Sequence, residues 1–199
     1  MTAAAVLPRS PAAAPGVPVA PDLGAAAYQR VLHQLVRREV RMLAELVTWA
    51  DPADAAHTAA LTRHADLVGR VLLHHHATER VLLWPALLRA VPAGTRDGAR
   101  RLVDDASARS ARIDTGLRAV ATAGRQWEVA RTAPARDAFA VACLDLADAV
   151  DASTAAEEAG LLPLLTAHLG AIEWRAVARA ARCPLPARDQ LLVLGMALE

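Results

Sequence analysis

Four stretches of this chain repeat an apolar residue at every third or fourth position, and almost none alternates with period two. That periodicity belongs to amphipathic helices and leaves little room for a sheet. The first stretch, residues 23–50, carries Leu32, Leu35, Val36, Val40, Leu43, Leu46 and Val47 on one side. Asp51-Pro52 ends it, and Asp54 is placed to cap the next helix. The second stretch spans 55–90, with a bend marked by Pro85 and an end at Pro92 and Gly94. The third, 95–131, aligns Leu102, Val103, Ala106, Ile113, Leu117, Val120 and Trp127. The fourth, 134–169, aligns Phe139, Leu146, Val150, Leu161 and Leu164, with a kink marked by Pro163.

Long helices joined by short loops pack as antiparallel neighbours. The expected fold is therefore all-α, an up-down antiparallel four-helix bundle over residues 23–170. A C-terminal helical extension, 171–199, packs on it with helices near 172–182 and 190–198. The apolar share of 54% with only 3% aromatics suits such a core of Ala, Leu and Val. Residues 1–22, rich in Ala and Pro, read as a disordered arm and lack the basic start of a secretory signal. No apolar run reaches the ~18 residues of a membrane span. A net charge of +1 gives no electrostatic footprint for nucleic acid. Cys143 and Cys183 form no CxxC, which fits a reducing compartment. The expectation is a cytoplasmic protein, monomer or homodimer, without nucleic-acid or membrane partners.

The informative residues are polar ones on the apolar stripes. His75 and Glu79 are four apart and share the face of Val68, Leu72 and Leu82. His57 and His64 follow the same stripe, but lie roughly 27 and 17 Å from His75 at 1.5 Å per residue, so they read as packing residues. His74 and His76 turn about 100° to either side and read as peripheral. Arg80, turned likewise from Glu79, reads as solvated. The first helix offers His33 and Glu39, the third Ser110 with Ser107 and Asp114 beside it, and the fourth Ser153 and Glu157. Buried carboxylates must be paired or coordinated. Imidazole nitrogen with carboxylate oxygen suits iron, zinc or manganese. A core histidine that merely hydrogen-bonds to a carboxylate is the plainer alternative.

Taken together, VLHQLVRRE, LHHHATERVLLWPALL, AAEEAGLLPLLTAHLGAIEW and the closing ARDQLLVLGMALE resemble the hemerythrin-like, HHE cation-binding domain of bacterial type, over residues 23–199. The resemblance implies a four-helix bundle with two irons bridged by oxygen and two carboxylates. It assigns His33, His75 and Glu79 as ligands, Glu79 also as a bridge, and Glu157 as the second bridge. Two departures stand against a full site. Ser110 occupies the place of a helix histidine, in RSARID where the family has a stretch resembling QHARID. Ser153 opens STAAE where an HxxxE-like pair is expected. Besides these two, Arg80 stands where an acid often follows Glu79 in the family. The resemblance then implies one iron's ligands lost and the other's kept, on His33, His75, Glu79 and Glu157.

Three functions follow as expectations. In the first, no metal is bound. The space freed by two serines admits a mostly apolar small molecule, and His75, Glu79, Glu157 and His33 perform acid/base chemistry such as cyclisation or isomerisation. Ser110, Ser153 and Glu39 would then hold the substrate. In the second, a single Fe or Zn ion on His33, His75, Glu79 and Glu157 acts in dioxygen, peroxide or nitric oxide sensing or oxidation. In the third, the bundle is a non-catalytic structural or partner-binding module.

Overall fold

The computed structural model describes residues 24–181 and 185–197. The expected arm, and Cys183 with it, lie outside these residues. No strand forms among the described residues, and four rods dominate. The first rod is α1, Ala25–Trp49. The second runs without a break through α2, Ala55–Thr78, a π-helical turn, Glu79–Leu83, and α3, Trp84–Ala90. The third and fourth are α4, Ala93–Ala130, and α5, Ala133–His168. Two short helices follow, α6 at Ala171–Ala180 and α7 at Ala187–Ala197. Contacts of α1 with α2 and α5, and of α4 with α2 and α5, close the four rods into a ring. Connections of a few residues make successive rods antiparallel.

Local chemistry sets the helix ends. The Asp54 carboxylate accepts from the backbone N–H of Ala56 at 2.9 Å and of His57 at 3.0 Å. This N-cap satisfies donors that the first turn of α2 leaves open. Arg131 closes α4 in the left-handed region, φ 49° and ψ 42°. Its N–H bonds the carbonyl of Trp127, and Pro134 then stands in the first turn of α5.

Where the sequence marks a bend at Pro85, the structure widens the helix instead. A proline lacks the N–H and its ring crowds the carbonyl four residues back. The π turn sits immediately ahead of it, and the Trp84 N–H reaches the Glu79 carbonyl, five residues back. The extra residue in the turn shifts the inward register. Leu83 and Trp84 are buried, whereas Leu82, expected on the core face, is only half-buried. Pro163 does not interrupt α5, and it lies on that helix's exposed side.

Two apolar cores result. One joins Val36, Val40, Leu72, Val120, Phe139 and Val150. The other joins Leu83, Trp84, Leu87, Val103, Leu161, Leu165, Trp174 and Val177. Every rod places buried polar residues between the two: His33 on α1, His75 and Glu79 on the second rod, Ser110 on α4, Ser153 and Glu157 on α5; Glu39 and Thr58 are buried outside this layer. The bundle is thus apolar at both ends with one polar layer across its waist. Two stripe assignments from the sequence are corrected. Leu46 is exposed, at the edge of the arc where α1 faces solvent, and His57 is exposed in the first turn of α2 beyond the cores. In its place Thr58 turns inward and donates to the Asp54 carbonyl at 2.8 Å.

Candidate metal centre

The waist brings His33, His75, Glu79 and Glu157 together, all buried, with one ligand atom from each within 4.8 Å of the others. Three rods supply them. The helical repeat of 3.6 puts His75 and Glu79 one turn apart on a single face, 3.3 Å from imidazole Nε2 to carboxylate Oε1. His33 Nε2 approaches Glu157 Oε2 at 3.4 Å. The His33 and His75 rings meet edge to face at 5.6 Å between centroids.

Each member is held from behind. The Nδ1–H of His33 donates to Glu158 Oε1 at 3.1 Å, which Arg37 also grips at 3.0 Å. That bond places the proton on Nδ1 and leaves Nε2 a bare lone pair. The Gln29 amide N–H donates to Glu79 Oε1 at 2.8 Å, and the Ser153 hydroxyl donates to Glu157 Oε1 at 3.2 Å. Three atoms of the four clustered residues are buried without a hydrogen-bond partner: His33 Nε2, Glu79 Oε2 and Glu157 Oε2. All three are electron-pair donors. Acceptors turned toward one another in a dry interior repel unless a cation, or a proton kept on one carboxyl, lies between them. Two imidazoles and two carboxylates are the donor set of iron, zinc or manganese, and a carboxylate behind a ligating imidazole is the usual support. The residues fit a metal ion.

Burial biases the cluster toward neutral forms when no cation is present. Desolvation drives the His75 imidazole well below its ordinary range, and the neighbouring imidazoles of His76, His33 and His74 add to this. Desolvation, and then the charge of Glu157, raises the Glu79 carboxyl well above the usual carboxylate range, although the Gln29 bond opposes it.

The remaining sequence assignments divide. Ser110 and Ser153 do lie in the waist, both buried. Each hydroxyl has a single proton, and both protons are taken: Ser110 donates to the Ala106 carbonyl at 3.1 Å, Ser153 to Glu157. Glu39 is buried but apart from the cluster. Arg38 holds it at 2.8 Å and His64 Nε2 lies 3.1 Å away, so its carboxylate is ion-paired there. His64 is partly exposed and serves that pair. His76, expected to be peripheral, is buried, because Asp114 on α4 draws its Nδ1 to 2.6 Å. Arg80 reaches the same Asp114 at 3.2 Å from a half-exposed position. Sequence reasoning missed Gln29 and Glu158. Gln29 stands four residues before His33, on the same face, and that spacing is the signal that could have found it.

An apolar cleft of about 270 Å³ opens beside the cluster. Its wall includes His75 and Glu79 but neither serine. Lined by α1, α2, the π-helical turn, α6, α7 and Leu185, it lies to one side of the bundle's centre, whereas the expected pocket lay at the centre itself.

The model of the hemerythrin HHE cation-binding domain matches residues 26–165, a span that holds all four clustered residues. No curated protein and no solved structure matches the chain. With the match covering most of the chain, and a helical bundle that carries a His/Glu cluster across its waist, this protein belongs to the hemerythrin family of HHE cation-binding domains.

Proposed function

We propose that this protein holds one transition-metal ion on His33, His75, Glu79 and Glu157, and acts in sensing or oxidation by dioxygen, peroxide or nitric oxide. The observation that carries the reading is the set of three buried, partnerless lone pairs, from His33, Glu79 and Glu157, facing one another across the waist. A bound iron with open positions would supply binding of such small ligands and one-electron chemistry. The chain supplies the rest. Glu158 fixes which His33 nitrogen is bare, Gln29 and Ser153 orient the two carboxylates, and the two apolar cores keep water from the layer between them. Ser110 and Ser153, in the two places where the family has histidines, offer weak hydroxyl ligands, which supports one ion over a bridged pair. The test is metal content after aerobic purification. One iron or zinc per chain supports the reading. A folded protein that takes up neither, even on reconstitution, contradicts it.

A second reading draws on the cleft. His75 and Glu79 both line it, and burial favours a neutral imidazole and a protonated carboxyl there. Such a pair can pass a proton to and from a bound apolar substrate, in an isomerisation or cyclisation that needs no metal. Activity that persists in EDTA and is lost in Glu79→Gln would favour this reading over the first.

A further inference from the structure

We propose that the cleft between the bundle and the C-terminal helices is a binding site for a small, mainly apolar molecule that carries one hydroxyl or N–H donor, received by the Gln29 amide oxygen. Two independent observations carry it. The first is the wall: Leu32, Val71, Leu83, Trp174, Val177 and Leu185 enclose about 270 Å³ of apolar space. For scale, an apolar cavity of ~150 Å³ admits benzene. The second is Gln29, which also lines the cleft and is 1% exposed. Its amide nitrogen is committed to Glu79, and its amide oxygen is buried with no partner. A buried acceptor left open is costly, and a ligand donor removes the cost. An apolar pocket with a few placed polar groups, here Gln29 beside His75 and Glu79, is the ordinary form of a small-molecule site.

Part of the wall lies outside the matched domain. Trp174, Val177, Ala178, Ala181, Leu185 and Val193 all fall beyond residue 165, where the family match ends. The donor end of the ligand would lie beside His75 and Glu79, so the site gives the reading under "Proposed function" a substrate class. It rests on that reading for the chemistry only, since occupancy does not require the ion.

The probes are 2-naphthol, which has the donor, and 2-methylnaphthalene, which has nearly the same shape without it. Both are titrated calorimetrically into the full chain, metal-loaded and EDTA-treated. Naphthol should bind about tenfold more tightly, the ratio expected from one buried hydrogen bond. Gln29→Leu should bring the two probes to equal affinity. Ala178→Trp, at an exposed position on the wall, should abolish binding of both while metal content stays unchanged. Equal affinities in the unaltered chain, or binding unaffected by Ala178→Trp, would overturn the proposal. Failure of the metal reading is separate: no ion is taken up, yet naphthol still binds selectively. The converse, an ion taken up with neither probe bound, sinks the cleft site alone.

Discussion

Glu79 sits at the point where the opposing demands of this molecule meet. It is 1% exposed, beside another buried carboxylate, and bonded to one neutral amide. In the metal-free chain its raised pKa is a statement about stability. The folded state keeps the proton where the unfolded chain has lost it. Its contribution is therefore fully present below the ordinary carboxylate value of ~4.3 and drains away as pH rises through the raised value. His75 acts in the opposite sense: its depressed pKa gives stability above ~6.5 that is lost as pH falls through the lowered value. Glu79→Gln removes only the first effect. Urea titrations in EDTA should show the variant gaining on the unaltered chain between pH 5 and pH 8. A constant difference would mean that Glu79 is not held neutral. Ser153→Ala removes the donor to Glu157 and should cost about 1 kcal/mol in the same assay. At this scale the sequence was legible where helical spacing decides. His75, Glu79 and Glu157 could be placed inward from their spacing, whereas His33 fell at the edge of its apolar arc and was singled out by the family resemblance. It was not legible where the deciding partner lies on another rod. Asp114 pulls His76 inward, and Arg38 with His64 holds Glu39 away from the cluster.

The rods show the same division. Apolar spacing and the Asp54 cap give their number, order and approximate ends, but the π turn at Glu79–Leu83 leaves no period of its own in the sequence. Its only cue is Pro85, and the physical effect is a change of register that brings Leu83 and Trp84 under the polar layer. The two apolar cores on either side of that layer should respond separately. Trp127 packs against Phe139 at 5.6 Å between ring centroids and donates to the Pro52 carbonyl at 3.2 Å, near the helix ends away from the cluster. Trp127→Ala should cost about 3–5 kcal/mol in chemical denaturation. Metal bound per folded chain should stay the same. A parallel loss of metal would mean that the waist depends on packing far from it. Cys143 belongs to the same core, and burial pushes its thiol up to about 12, which leaves it a packing residue.

Across the whole molecule, a polar layer between two dry cores is a costly design for a bundle with nothing in it and a stable one once a cation fills it. An ion that binds only the folded state adds about 2.7 kcal/mol at a hundredfold excess over its Kd. For a chain of this size that raises Tm by roughly 5–10 °C, and EDTA should reverse the rise. No helix among the described residues is long and apolar enough to cross a membrane. The C-terminal helices add their own packing to the bundle, with Trp174 and Val177 buried in the second core. The most direct test is the number of ions held per chain, measured by elemental analysis on the unaltered protein and on His75→Ala at matched helix content. One ion in the first and nearly none in the second is the predicted result. Two bridged ions in the unaltered protein, or full retention without His75, would contradict it.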